Sequence, residues 1–225
     1  PEEIVYTSGA TESNNAAISG ALKAMRGKGR LIVGATEHPS AYEVVKAYCR
    51  QGYDVVEAPV DSTGAVDLAA LSTLLTEDTR LVSVMQVNNE VGAVNDCAAI
   101  YRMVKAASPE AAVHTDGVQG FLKVPFDARD CDFYALSAHK FHGPKGVGAL
   151  CVRTGARFAG GQAGGGQEKD RRSGTTNTPG IMGMDAAVAD YLAHLEEYRR
   201  HMMACKLRLA KNLSGIRDVV VNGPK

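Results

Sequence analysis

Lys140 and Lys145 stand in the stretch SAHKFHGPKGVG, residues 137–148, the first after a histidine and the second inside a glycine turn. A lysine amine becomes a nucleophile when apolar packing and neighbouring cations lower its basicity toward the working pH. A lone lysine is more often a solvated surface charge. Lys140 follows the apolar run CDFYALS and so falls at a strand tip, whereas Lys145 reads as a bystander in the turn. Upstream, VHTDGVQG ends another apolar run on Asp116. An aspartate there serves as a helix cap, a metal ligand or the partner of a cationic ring nitrogen. No second carboxylate and histidine stand at ligand spacing, which points away from a metal. YTSGATESNN sets small residues between a strand and a helix start, where free N–H groups and the helix dipole attract an anion. It is neither the dinucleotide GxGxxG nor a P-loop, and a plain helix cap by Ser8 or Thr11 is the competing explanation. His38, after another strand-like run, is by itself more often a satisfied histidine than a ring-stacking one.

The elements that must hold these residues alternate along the chain. Strands are predicted at 4–7, 30–36, 53–60, 80–87, 111–115, 131–137 and 148–153, and a last one is predicted to start in DVVVN at 218–222. Helices are predicted at 11–26, 39–52, 66–75 with Asp67 as cap, and 96–108. From Pro179 to Asn212 the pattern is one long helical stretch with a break placed near Gly183. Repeated alternation with buried-looking strands predicts an α/β fold, a three-layer sandwich around a mainly parallel sheet. Ligands of such sheets bind at the carboxyl ends of the strands. Those ends carry 8–11, Glu37-His38, Asn88-Asn89-Glu90, 116–119 and 137–140.

Together, an aspartate for a ring nitrogen, a strand-tip lysine and an anion cradle at a helix start are the parts that pyridoxal 5'-phosphate requires. The lysine forms the Schiff base, the aspartate keeps the ring nitrogen protonated, and the cradle holds the phosphate.

TSGATESNN, TEH, VNNEVG, HTDGVQ, SAHKFHGPKGVGAL, GGGQEKDRRSGT and GIMGM occur in one order along the chain. In these pieces and their order the chain resembles the cysteine desulfurases, pyridoxal-phosphate enzymes of the class V aminotransferase group with fold type I. The resemblance implies that Lys140 is the Schiff-base lysine and that Asp116 pairs with the pyridine nitrogen. It implies that Gln119 bonds the ring's phenolic oxygen and that His38 stacks on the ring. Thr11, Ser137 and His139, with backbone N–H from the Ala10 region, are implied to hold the phosphate. Asn89 is implied to face the substrate carboxylate and ring oxygen, and Thr175 to reach the partner subunit's phosphate in a homodimer. The implied reaction removes sulfur from L-cysteine, gives L-alanine, and leaves a persulfide for an acceptor such as an iron–sulfur scaffold or for tRNA thiolation. A selenocysteine lyase, another class V aminotransferase, and a non-catalytic module of the same fold are the alternatives.

Departures from the family pattern also shape the expectation. None of Cys49, Cys97, Cys131, Cys151 and Cys205 stands in the Ser- and Gly-rich loop where the family carries its sulfur-accepting cysteine. The family's opening segment, its substrate-carboxylate arginine and most of its small domain find no counterpart in these 225 residues. Gln86 occupies a position before VNNE where a histidine is frequent. Residues 1–178 are therefore expected to form the cofactor-binding large domain, short of its N-terminal side, and 179–225 a long helix and the start of a small domain. The fragment is expected to be impaired in catalysis on its own.

Bulk properties agree with such an assignment. Lys plus Arg equals Asp plus Glu at 25 each, so no net charge favours nucleic acid or an anionic membrane surface. The 45% apolar content suits a globular core, and no run is shaped like a membrane span or signal peptide. Five scattered cysteines without CxxC spacing fit reduced thiols and a cytoplasmic setting.

Overall fold

The computed structural model describes residues 1–224, so Lys225, the last residue of the predicted 179–225 segment, lies outside the described residues. Seven strands form one sheet: β1 (Ile4–Thr7), β2 (Arg30–Gly34), β3 (Asp54–Ala58), β4 (Thr79–Ser83), β5 (Ala112–Asp116), β6 (Phe133–Ser137) and β7 (Gly148–Val152). Their spatial order is β1-β7-β6-β5-β4-β2-β3. Pairings among β2, β3, β4, β5 and β6 are parallel, and only β7 runs against its two neighbours. The helices are α1 (Ala10–Ala24), α2 (Pro39–Ala47), α3 (Leu68–Leu74), α4 (Cys97–Ala107), α5 (Thr178–Ala193) and α6 (Leu195–Leu213).

Side chains alternate across a strand, and here both faces are buried. In β2, Leu31 and Val33 join a core with α1 and α2, while Ile32 between them joins a second core with α3 and α4. In β4, Leu81 and Val82 divide the same way. Helices on both faces of a mainly parallel sheet make the predicted three-layer sandwich. Each fully buried Leu or Ile contributes about 1.5–3 kcal/mol. α4 shows the logic from the helix side: Cys97, Ile100 and Val104 fall on one face and are its buried residues. Asp67 and Asp96 cap α3 and α4 through their carboxylates, accepting from Ala69 and Ala70 and from Ala99.

Four expectations change. The apolar run 80–87 leaves regular strand after Ser83, although Val84 and Gln86 still donate to the carbonyls of His114 and Asp116. The stretch 39–52 is α2 followed by a 3₁₀ turn, Tyr48–Gln51, closed by Gly52 at φ 83. The long C-terminal helix breaks at His194, not near Gly183. Gly183 lies inside α5 because the helix passes close to Pro144; a Cβ there would stand 2.5 Å from Pro144 Cγ. DVVVN forms no strand: Asp218 takes φ 63, and Val219, Val220 and Val221 are exposed with no pairing strand among the described residues. A strand is completed by a neighbour, and the local pattern cannot supply one.

Candidate active site

At the carboxyl ends of the strands lies a cavity of about 450 Å3. Ala10, Thr11, His38, Asn89, Asp116, Gln119, Ser137, His139 and Lys140, all expected at a cofactor site, line it together. Thr175 does not; it lines an adjoining cavity that shares Ser8 and Gly146 with the first. Lys145, read from sequence as a bystander, lines the main cavity beside Gly146. Gln86 does not line it: this side chain is buried and accepts from the Tyr134 hydroxyl at 2.7 Å.

Local structure explains how each group arrives there. Lys140 lies in the 3₁₀ turn Ala138–Phe141 that follows β6. Ala138 and Phe141 are buried and pin the turn, which leaves His139 and Lys140 facing outward. His142 closes the turn at φ 72, and Gly143 N–H donates to the Ala138 carbonyl. Ser137 Oγ and His139 Nδ1 are 2.9 Å apart. Burial, then the neighbouring Lys140 and Lys145, pushes His139 below the usual imidazole range.

The helix-cap explanation of the TSGATESNN segment does not hold. The N-cap of α1 is Gly9 at φ 146, with no side-chain cap. Ser8 instead gives its N–H and hydroxyl to Glu12 at 2.8 and 2.6 Å. α1 therefore presents its free N–H end to the cavity without a cap, which suits an anion. Glu12, a cavity carboxylate that would repel one, is held by Arg172 at 2.7 Å. Its burial favours the neutral acid, but Arg172 and Ser8 outweigh that and hold it below the ordinary range.

Beneath the cavity runs a buried hydrogen-bond relay. Asn14 Nδ2 donates to Asp116 Oδ2 at 2.7 Å and to Ser40 Oγ at 2.9 Å. Those acceptors fix the amide orientation, so Asn14 Oδ1 accepts from His114 Nε2 at 3.0 Å. His114 Nδ1 is then the acceptor for the Ser83 hydroxyl at 2.9 Å. His114 is fully buried, and desolvation pushes its pKa down to about 3, so it is neutral in this relay. At the other branch, Ser40 N–H donates to His38 Nδ1 at 3.1 Å and the Ser40 hydroxyl lies 2.8 Å from it. His38 thus uses Nδ1 as acceptor and keeps its other nitrogen for the cavity side.

Asp116 is 4% exposed, and its other oxygen accepts from Val118 N–H at 3.0 Å. Burial raises its pKa against the two hydrogen bonds and the nearby His38 and Lys140 charges. A buried carboxyl facing a cavity and supplied only with neutral donors is completed by a cationic N–H. A protonated ring nitrogen fits that demand, and the bare end of α1 fits a phosphate. Behind Asp116, Glu37 is buried with Oε1 accepting from Met85 N–H at 2.6 Å and Oε2 without a partner. Burial, opposed by that hydrogen bond and aided by Asp116, holds it well above the usual carboxylate range.

Sequence reasoning named the cavity wall and placed Glu37 among the strand-end residues, but missed Asn14, Ser40 and His114. Asn14 and Ser40 stand among other polar residues near the starts of α1 and α2, so only His114, inside the apolar run of β5, carried a signal. None of the five free cysteines lines the cavity. Burial pushes Cys97 and Cys151 up to about 12 and about 11. Among the described residues no group of His, Cys, Asp and Glu is arranged to hold a metal, and no helix is long and apolar enough to cross a membrane.

Comparison with known proteins agrees with the geometry. The sequence pattern of the family described as Aminotransferase class-V matches residues 1–225. The chain is 44% identical over 230 aligned residues to "Cysteine desulfurase IscS" of Anaeromyxobacter sp. (strain Fw109-5), covering 99% of this chain and 56% of that protein. It is 40% identical to the "Cysteine desulfurase" of Homo sapiens, covering 99% of this chain and 50% of that one. Among solved structures, a "NIFS-LIKE PROTEIN" superimposes with a TM-score of 0.93 at 39% identity, over 99% of this chain and 62% of the other. DndA from Streptomyces lividans gives 0.87 at 32% identity, over 98% and 66%. The chain spans about half the length of the curated relatives it matches. With the fold, the cavity and the whole-chain match in agreement, the chain belongs to the class-V aminotransferase family and is similar within it to the cysteine desulfurases.

Proposed function

We propose that this chain is the pyridoxal 5'-phosphate-binding part of a cysteine desulfurase, which removes sulfur from L-cysteine and leaves L-alanine. One observation carries the proposal: Lys140 and the buried Asp116 line a single cavity whose end is the uncapped N-terminus of α1. The bound cofactor supplies an electron sink for the substrate's α-carbon. Asp116, positioned by Asn14, holds the proton on the ring nitrogen. His38, fixed through Ser40, packs on the ring, and Gln119 donates to its phenolic oxygen. Ala10 and Thr11 at the helix start, with Ser137 and His139, hold the phosphate. Lys140 would hold the cofactor covalently, and its amine would be placed to move a proton at the substrate α-carbon. Asn89 orients the substrate carboxylate.

In this reading residues 1–178 form the cofactor-binding large domain, and 179–225 lead into a second domain. Two copies pair, with Thr175 directed to the partner's phosphate site. None of the cysteines of this chain is among the residues that line the cavity. An iron–sulfur scaffold or a tRNA-thiolation partner in the cytoplasm takes the sulfur onward. The test is a titration with pyridoxal 5'-phosphate followed by visible absorption. The wild-type chain and K145A gain a visible band and K140A does not; a band of equal strength in K140A overturns the proposal.

A further inference from the structure

Lys123 stands outside the cavity, yet its ammonium reaches one of the cavity's walls. After β5 the chain coils tightly, with the N–H groups of Gly120 and Phe121 donating to Gly117 O, and those of Lys123 and Val124 donating to Gly120 O. The coil brings the Lys123 side chain back beside Gln119, four residues earlier. Leu122 between them takes φ 65, a left-handed conformation that a non-glycine residue rarely adopts and that marks a constrained segment. Lys123 Nζ donates to Gln119 Oε1 over 3.4 Å. A lysine ammonium has donors only, so the atom facing it must be the amide oxygen, and the NH2 end of Gln119 is the one left for the cavity. Gln119 lines the cavity and Lys123 does not.

Nothing else accounts for the ammonium. Lys123 is half-buried, and among the described residues no carboxylate pairs with it. Its surroundings disfavour the charge, first through burial and then through the neighbouring Lys140. An unpaired, partly buried cation is costly to keep for packing alone.

We propose that Lys123 is a positioning residue, which sets the amide of Gln119 so that its NH2 group donates into the cavity to an anionic oxygen of the ligand. This rests on the pyridoxal-phosphate reading above and deepens it, the acceptor being the phenolic oxygen of the ring. Lys123 thus acts through Gln119 and touches no reacting atom.

Two measurements on the full chain test it. In the ligand-free chain labelled with 15N-glutamine, the Gln119 side-chain NH2 resonance, assigned by its loss in Q119M, reports the order of that amide. K123M is expected to release it and K123R to retain it. In a titration with pyridoxal 5'-phosphate, K123M is expected to bind roughly three- to tenfold more weakly, the scale of one hydrogen bond. K123R is expected to stay near wild type, and K123M/Q119M to be no weaker than Q119M alone. An unchanged Gln119 resonance in K123M overturns the inference, as does multiplication of the two losses in the double variant. A wild-type chain whose Gln119 amide is ordered but which takes up no pyridoxal 5'-phosphate instead overturns the functional reading and leaves the hold of Lys123 on Gln119 supported.

Discussion

Acidification should destabilise the floor of the cavity through one residue, His114. This imidazole is fully buried, bonded to Ser83 and Asn14, and has its pKa pushed down from 6.5 to about 3 by desolvation. A folded-state value below the unfolded one contributes stability that is present above the unfolded pKa and lost as pH falls through the interval between them. Over the whole interval from 6.5 to about 3 the loss amounts to about 5 kcal/mol, at about 1.4 kcal/mol per unit. Between about pH 7.5 and about pH 5 it is about 2 kcal/mol, because by then the unfolded imidazole is almost fully protonated and the folded one is not. Asp116 and Glu37, whose values burial raises, act in the opposite direction, so the wild-type curve alone mixes signs. The perturbation is therefore H114N, which removes the titration. The assay is urea unfolding of both chains at the two pH values. Relative to H114N, the wild type should lose about 2 kcal/mol on going to the lower pH, whatever constant offset the substitution introduces. A difference between the two chains that stays the same at both pH values would refute the buried, neutral histidine and the relay built on it.

Two further substitutions test other parts of the structure. Glu37, whose pKa burial raises well above the usual carboxylate range, contributes stability that is present below the unfolded value of 4.5 and lost as pH rises, so the wild type should gain on E37Q as pH falls toward that value in the same unfolding experiment; no relative change with pH would contradict the raised value. Gly183→Ala places a Cβ against Pro144 and should cost about 1–3 kcal/mol by thermal or denaturant unfolding, whereas a stabilised variant, the ordinary result of Gly→Ala inside a helix, would refute the close approach of α5 to Pro144.

The parts of this protein that could be read from sequence share a physical cause. Parallel strands direct their carboxyl ends to one edge of the sheet, so polar residues just after 4–7, 30–34, 112–116 and 133–137 had to converge wherever the strands were correctly placed. His38, Asp116, Gln119 and Lys140 did so, as did the helix start at Ala10 and Thr11. Asp67 was legible because a capping carboxylate acts within three residues. What escaped depends on contacts distant in sequence. Asn14 meets Asp116 across 102 positions, and His114 meets Asn14 across 100. The end of β4 is set by what lies beside it, since the apolar run continues past Ser83. The valines at 219–221 look like a strand but have no partner strand among the described residues. Lys145 looked like a turn charge because sequence shows the turn and not the cavity that the turn folds over.

In the proposed function Lys140, and neither Lys145 nor Lys123, carries the cofactor. Borohydride reduction of the chain after incubation with pyridoxal 5'-phosphate makes any lysine attachment permanent, and mass mapping of the peptides then locates it. One cofactor mass per chain is expected, on the peptide containing Lys140, and none there in K140A. A label concentrated on Lys145 or Lys123, or scattered over surface lysines with Lys140 unmarked, would contradict it.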